Sequence, residues 1–502
     1  MSRGTVLMVQ GTASSAGKSF LVAGLCRLFL QEGLQVAPFK AQNMSNNAAV
    51  TSEGHEIGRA QAVQAMAARL APHVDMNPVL LKPEADHRSQ VIVNGRPFAR
   101  LAAAQYQDAK TQIWPEVTAA LDRLRSEFDL VIIEGAGSPA EINLKARDIS
   151  NMRVALYARA PVLITGDIDR GGVFAHLYGT FHLLEPEEQE LVRGFIINRF
   201  RGDPSLLEPG LTDMEALTGV PVVGVVPWIH DHGLPEEDGV ALERRTAQPR
   251  RPDAVEIAVI KLPRIANFDD FDPLAGEQDV SLRYVESPAE LAGADIVILP
   301  GTKSTIDDLA WLRARGFATA IESARDAGAV VIGVCGGFQM LGTRIADPAG
   351  IESSAATVEG LGLLDVVTEF HQSKVTRQTP ARVLPLPGPL GQAGGHEVTG
   401  YEIHAGITSI APGALAVSGG DGRALGAAGP DGLVFGCYLH GLFANTAFRR
   451  GLLAGVAAGR GKQYRPTDIT DPDAGFDKVA AVLRSSLDLP RIFGLVGREF
   501  RS

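Results

Sequence analysis

The sequence predicts an α/β protein, a P-loop-type, mostly parallel sheet domain followed by a second α/β domain, and three observations carry that expectation. Short apolar, β-branched runs recur without strict polar alternation at residues 6–9, 130–133, 162–165, 194–197 and 222–226, the pattern of strands covered on both faces. A glycine-rich loop joins the first run to a helical pattern over 20–32. A polar stretch with two prolines at 248–254 then breaks the rhythm, and a second series follows at 257–260, 295–299, 329–334 and, after a Gly-rich segment, 432–439. The expected division is a first domain over 1–247, a linker over 248–254, a second domain over 255–450 and a C-terminal helical extension over 451–502 with a helical stretch at 476–487.

Composition narrows the function classes. The chain has 502 residues, 45% of them hydrophobic, and a net charge of −11 from 47 basic and 58 acidic side chains. That balance removes the long-range attraction that nonspecific nucleic-acid or anionic-membrane binding needs. No stretch approaches the ~18–20 uninterrupted apolar residues of a membrane span, and the first apolar run is too short for a signal-peptide core. Three cysteines, Cys26, Cys335 and Cys437, are too few for a disulfide framework and suit a reducing compartment. A soluble cytoplasmic protein, with neither nucleic acid nor membrane as partner, is expected; monomer and homo-oligomer both stay open.

Gly11-Thr-Ala-Ser-Ser-Ala-Gly17-Lys18-Ser19 lies between the first expected strand and the first helix. In that context the backbone of Gly11, Thr12, Ser14, Ala16 and Gly17 would cradle the phosphates of ATP, Lys18 would reach the β and γ oxygens, and Ser19 would ligate Mg2+. The first glycine stands one residue earlier than in the standard spacing, so the loop is a deviant form. A nucleotide's Mg2+ also needs one or two carboxylates, and two expected strands end in Glu134 and Asp167, at the carboxyl ends where such sites lie. The segment Pro38-Phe-Lys40-Ala-Gln42-Asn43-Met-Ser-Asn46-Asn47 follows the expected strand at 35–38. Lys40 would arrive beside the phosphate loop and neutralise a transferring phosphoryl group. Gln42, Asn43 and Asn46 could hydrogen-bond a substrate's carboxylates or phosphates.

In the second domain Val330-Val-Ile-Gly-Val-Cys335-Gly336-Gly-Phe-Gln339 breaks an apolar strand at a cysteine flanked by glycines. A sharp strand-to-helix turn exposes such a side chain, and the helix N-terminus behind it favours the thiolate, so Cys335 reads as a nucleophile. His440, just past the 432–439 run, would serve as its base, and the amides of Gly301 and Gly336 would form an oxyanion hole. Cys437 reads as core.

The first loop resembles the deviant P-loop ATPases that include dethiobiotin synthetase, the partition ATPases and the cobyrinate amidases. Partition-type members carry an extra lysine where this chain has Thr12, which points to the small-molecule ligase branch. Glu134-Gly-Ala-Gly137 is similar to a segment of dethiobiotin synthetase-like enzymes whose acid serves the metal. The Cys335–His440 pattern resembles the class I glutamine amidotransferase domain, which releases ammonia from glutamine through a cysteinyl thioester. Most members place a Glu two residues after the His, where this chain has Leu442. Either a dyad suffices or another acid, Glu402 being a candidate, takes over. Together the halves resemble the cobyrinate amidase family over nearly the whole chain. Three segments, 38–47, 166–175 and 438–443, resemble the branch that amidates the b, d, e and g carboxylates of adenosylcobyrinic acid a,c-diamide. The alternative is the sister a,c-diamide synthase or another glutamine-dependent carboxylate amidoligase. The resemblance implies a corrinoid substrate, glutamine, ATP and Mg2+.

Overall fold

Five of the apolar runs and a sixth at Val36–Phe39 assemble into one parallel sheet with the strand order Val222–Pro227, Val192–Phe200, Val162–Asp167, Thr5–Gly11, Leu130–Glu134, Val36–Phe39. The computed structural model describes residues 3–84, 88–230, 232–234, 251, 253–353, 355–467 and 472–500. The central strands are buried along their whole lengths, Leu130–Glu134 and Val162–Asp167 without exception, because helices cover both faces. Helix Lys18–Gln31 lies on one face with Leu21, Leu25, Leu28 and Phe29 in the core, and helix Ala103–Glu127 sends Ile113, Val117 and Leu121 into the core of the other. Between Val36–Phe39 and the long helix the chain forms a four-stranded sheet, Gln42–Met44, Val79–Pro83, Arg88–Val93 and Arg96–Ala102, and the two-stranded ribbon Ala48–Val50 with Glu56–Gly58. The ribbon leads directly into helix Arg59–Ala67. Residues 38–47 are thus partly strand.

The second sheet has eleven strands. Its parallel part runs Val280–Val285, Val255–Ile260, Ile296–Leu299, Val330–Val334, Val434–Cys437. Antiparallel strands extend it, dominated by the long pair Val366–Val383 and Glu397–Ile410. In register, Val334 faces Cys437, so the residues that follow these two strands emerge side by side at one sheet edge. Both mostly parallel regions match the expected α/β class.

The expected boundaries differ in two places. Residue 450 falls inside helix Thr446–Gly459, whose Leu452, Leu453 and Val456 belong to the second domain's core. The tail is not a free extension, because helices Pro472–Ser486 and Leu489–Leu495 return to the first domain. Phe476, Val479, Leu483, Ile492 and Phe493 complete the core under helix Lys18–Gln31. A Cβ on Gly24 would lie 2.5 Å from Leu483 Cδ1, so this glycine admits the close helix–helix approach. Buried Arg27 pairs with Asp473 and Asp477 of the tail. Of the expected linker, residues 248–250 and 252 lie outside the described residues. Among the described residues no helix is long and apolar enough to cross a membrane.

Candidate active sites

The phosphate loop leaves strand Thr5–Gly11 and enters the helix at Lys18, with Gly17 turning the chain at φ +86°. Only glycine fits there, because a Cβ would also lie 2.2 Å from the Asn198 amide nitrogen. Asn198 donates that amide to the Ala16 carbonyl at 3.0 Å, and Thr12 N–H donates to the Thr165 carbonyl at 2.9 Å. The loop is thereby tied to two neighbouring strands. Lys18 is buried and its ammonium donates to the carbonyls of Ala13 (2.8 Å) and Gly137 (2.9 Å). A Cβ on Gly11 would lie 2.9 Å from Lys18 Nζ, whereas Ser14 is exposed.

Glu134 ends its strand beside this loop and gathers three donors. Ser19 Oγ and Lys40 Nζ each donate to Oε1 at 2.8 Å, and Gln64 Nε2 donates to Oε2 at 2.5 Å. Burial alone would raise the carboxyl's pKa, but the charge of Lys40, the hydrogen bonds from Lys40 and Gln64, and the charge of Lys18 override it and hold it below the ordinary range. Ser19 Oγ and an ionised carboxylate within 2.8 Å of it are the hard oxygen donors that Mg2+ takes alongside a nucleotide's phosphates. Among the described residues no group of three or more His, Cys, Asp or Glu side chains forms a metal cage. Asp167 is engaged differently: its carboxylate accepts from Arg199 at 2.8 Å and from the Asp169 amide at 2.9 Å.

The three amides expected at a substrate surface are dispersed. Gln42 accepts from the Tyr106 hydroxyl at 2.6 Å. Asn43 lies in the interior, donating to Gln61 at 3.1 Å, because strand Gln42–Met44 alternates its faces and turns this side chain inward. Asn46 lines the cleft that also contains Cys335 and His440.

Cys335 sits between strand Val330–Val334 and helix Gly336–Leu341 at φ +52° and ψ −110°, a strained backbone for a residue with a Cβ. The elbow depends on its glycines, since a Cβ on Gly337 would lie 2.0 Å from the Leu299 carbonyl oxygen. Cys335 Sγ lies 3.5 Å from the Ile403 carbonyl. His440 follows the adjacent strand, and Gly301 lies between the two side chains. A Cβ built on Gly301 would be 3.1 Å from His440 Cε1 and 3.8 Å from Cys335 Cβ, and one on Gly336 would be 3.3 Å from the Thr302 nitrogen. The four residues expected to share a site therefore do meet.

His440 is oriented by an acid that the motif spacing does not reveal. Its Nδ1 lies 2.6 Å from Asp270 Oδ2, and Asp270 Oδ1 accepts the Gly441 N–H at 2.8 Å. Tyr401 stacks on the imidazole with ring centroids 5.3 Å apart. Burial would lower the His440 pKa, but the negative charges of Asp270 and Cys335 outweigh it and raise it to about 10. Glu402 is a correction: its carboxylate is engaged by Thr379 (2.7 Å), His404 (3.0 Å) and Arg423 (2.8 Å), so it holds His404. Leu442 is packed into the apolar core. Burial pushes the Cys437 thiol up to about 12, as suits a core cysteine.

Asp270, Gln64 and Asn198 are the residues that motif spacing misses. The one signal for Asp270 is an acidic pair, Asp269-Asp270, bracketed by two phenylalanines in the loop after strand Val255–Ile260.

Residues 7–239 match the family model described as CobQ/CobB/MinD/ParA nucleotide binding domain. Residues 256–448 match that described as CobB/CobQ-like glutamine amidotransferase domain. Among curated relatives, cobyric acid synthase of Chloroflexus aggregans is 56% identical over 459 residues, 89% of this chain and 91% of the relative. Cobyric acid synthase of Sorangium cellulosum is 51% identical over 512 residues, covering 97% and 98%, and that of Dehalococcoides mccartyi is 48% identical over 502 residues, covering 99% of each.

Proposed function

The chain belongs to the cobyric acid synthase family, and from that premise we propose that it amidates the b, d, e and g carboxylates of adenosylcobyrinic acid a,c-diamide, taking nitrogen from glutamine at the expense of ATP. The observation that carries this reading is the pairing of two chemically complementary centres in one chain, the Ser19–Glu134–Lys40 group at the phosphate loop and the Cys335–His440–Asp270 group. The loop amides and Lys18 would hold the ATP phosphates while Lys40 offsets charge on the phosphoryl group as it passes to a substrate carboxylate. Ser19 and Glu134 would hold Mg2+, which when bound would supply charge neutralisation at the phosphates.

At the second centre His440, kept as an imidazolium partner by Asp270, would maintain Cys335 as a thiolate that attacks the glutamine carboxamide. The Gly301 and Gly336 amides would stabilise the tetrahedral oxyanion. Ammonia leaves with the proton carried by His440, and water then cleaves the thioester to glutamate. The ammonia displaces phosphate from the acyl phosphate, giving the amide. Asn46, Lys82 and Arg100 of the first domain line the same cleft as Cys335 and His440, which supports an ammonia source next to the ligase half. Three unpaired, buried cysteines and the demand for ATP suit a cytoplasmic enzyme.

Cys335→Ser tests the division of labour: glutamine-dependent amidation should be lost while amidation driven by added ammonium persists. Equal loss of both would refute two separable centres. Mass spectrometry of the product decides between this reading and the sister a,c-diamide synthase, with four added amides supporting the first and two the second.

A further inference from the structure

We propose that Arg59 of the first domain is a positioning residue for the cysteine centre, and that the helix it begins, Arg59–Ala67, couples that centre to the ATP site. The inference rests on the reading of Cys335 and His440 given above. Each end of the helix meets a different site. At one end Gln64 donates to Glu134 Oε2 at 2.5 Å and to the Ser19 carbonyl at 3.3 Å, the two residues that would hold Mg2+. At the other end Arg59 Nε lies 2.6 Å from Asp269 Oδ2, an ion pair by distance rather than an aligned hydrogen bond. Asp269 is the immediate neighbour of Asp270, which holds His440. Five residues at 1.5 Å per residue separate the two contacts by about 8 Å along the helix axis.

The helix is packed on its faces: Ala60, Gln61, Ala62, Val63, Ala65 and Ala67 are all buried. The ribbon that precedes it grips the same loop of the second domain. Ala48 N–H donates to Asn267 Oδ1 at 2.9 Å, and the Tyr401 hydroxyl donates to the Ala48 carbonyl at 3.1 Å while its ring stacks on His440. The turn Phe268–Phe271 that carries Asp270 is therefore held from the first domain at Asn267 and at Asp269.

Charge balance gives Arg59 its role. Asp269 and Asp270 are adjacent and buried, and they face two cations, Arg59 on one and His440 on the other. Burial pushes the Asp269 carboxyl up and Arg59 pulls against it. Without the guanidinium, two buried carboxylates would compete for one imidazolium, and the turn would shift to separate them or to let Asp269 reach a proton. Either change moves Asp270 from its 2.6 Å contact with His440. Because Gln64 touches both prospective metal ligands, filling the ATP site changes its hydrogen bonding, and the packed helix passes that change to Arg59. Glutamine would then be hydrolysed fastest when the ligase centre is assembled.

The test uses the full chain and separate assays of glutamate release, with and without ATP, and of amidation from added ammonium. Arg59→Gln should lower kcat for glutamine hydrolysis by about tenfold or more, leave KM for glutamine within about threefold, and remove any stimulation by ATP. Ammonium-driven amidation should stay near the parent rate, and Arg59→Lys should recover part of the loss. The double variant Arg59→Gln/Asp269→Asn, which removes the excess carboxylate together with its cation, should recover part of the kcat lost in Arg59→Gln, and a double variant as impaired as Arg59→Gln overturns the charge-balance role. A parental kcat in Arg59→Gln overturns the proposal, as does an equal fall in both activities, which would mark a purely structural helix. If instead Cys335→Ser keeps glutamine-dependent activity, the underlying reading fails, a result distinguishable from failure of the coupling alone.

Discussion

Replacing Asp270 with asparagine preserves the side chain's shape and removes the charge that faces His440. The Nδ1–Oδ2 distance is 2.6 Å, and the two side chains are 3% and 4% exposed, so solvent and salt screen the pair little. Breaking such a buried pair by neutralising one partner costs roughly 3–5 kcal/mol. If that loss falls on the transition state, glutamine hydrolysis should lose about 10^2- to 10^4-fold in kcat/KM, at about 1.4 kcal/mol per decade. Asparagine can also donate to Nδ1 and select the wrong imidazole tautomer, which acts in the same direction.

The pH profile supplies a second, signed readout. His440 is raised from 6.5 to about 10, against the effect of burial, by Asp270 and Cys335. Its charged form therefore contributes stability that is fully present below the unfolded value of 6.5 and lost as pH rises toward about 10. In Asp270→Asn the desolvation remains while the largest opposing charge is gone, so the alkaline limb of glutamine hydrolysis should move to lower pH by more than about one unit. Steady-state glutamate release measures both effects, and ammonium-driven amidation in the same preparation controls for folding. Glu402→Gln, at the acid whose partners are His404, Arg423 and Thr379, should leave that alkaline limb unmoved. A kcat/KM within about threefold of parent, together with an unshifted limb, would refute the assignment and leave Tyr401 stacking as what orients His440.

Glu134→Gln should abolish ATP-dependent amidation from either nitrogen source while basal glutamine hydrolysis continues, because it removes the charge that gathers Ser19 and Lys40 but touches nothing at Cys335; product assays with ammonium and glutamine in parallel check this. Truncation after residue 467 should prevent the first domain from folding stably. It strips Phe476, Val479, Leu483, Ile492 and Phe493 from that domain's core, each worth roughly 1.5–3 kcal/mol against a domain stability of about 5–15 kcal/mol. Limited proteolysis of the truncated chain should cleave within residues 3–230 and spare the second domain.

The parallel strands were legible because burial on both faces leaves no polar position to interrupt them, as at Leu130–Glu134 and Val330–Val334. The long antiparallel pair was not. In Val366–Val383 most residues between Glu369 and Thr379 are partly or fully exposed, and the register shifts between Phe370 and Val375, so no apolar run or clean alternation survives in the sequence. Strand Gln42–Met44 hides for a related reason: its three polar or flexible side chains read as loop until Val79–Pro83 pairs with it. The tail shows its helical period plainly, yet an apolar stripe says only that a face is covered, and the partner proved to be helix Lys18–Gln31 some 450 positions away along the chain.

The strand-end rule pointed to Glu134, Cys335 and His440 because each lies at or within three residues of the carboxyl end of a parallel strand. It failed for Asp270, which sits in a short turn after an irregular loop, 170 residues before the histidine it contacts. The usual place for an acid, residue 442, is here an apolar core position, and a carboxylate there would be buried without a cation. Moving the acid to the 268–271 turn solves that problem but brings a second buried carboxylate, Asp269, beside it. The cation that balances Asp269 comes from the first domain. A substitution that looks like the loss of a triad member within one domain is, in the folded chain, a transfer of its support to the interface. On the coupling we propose, orientation of His440 depends on the two domains being docked, which is a property that neither half of the sequence can display alone.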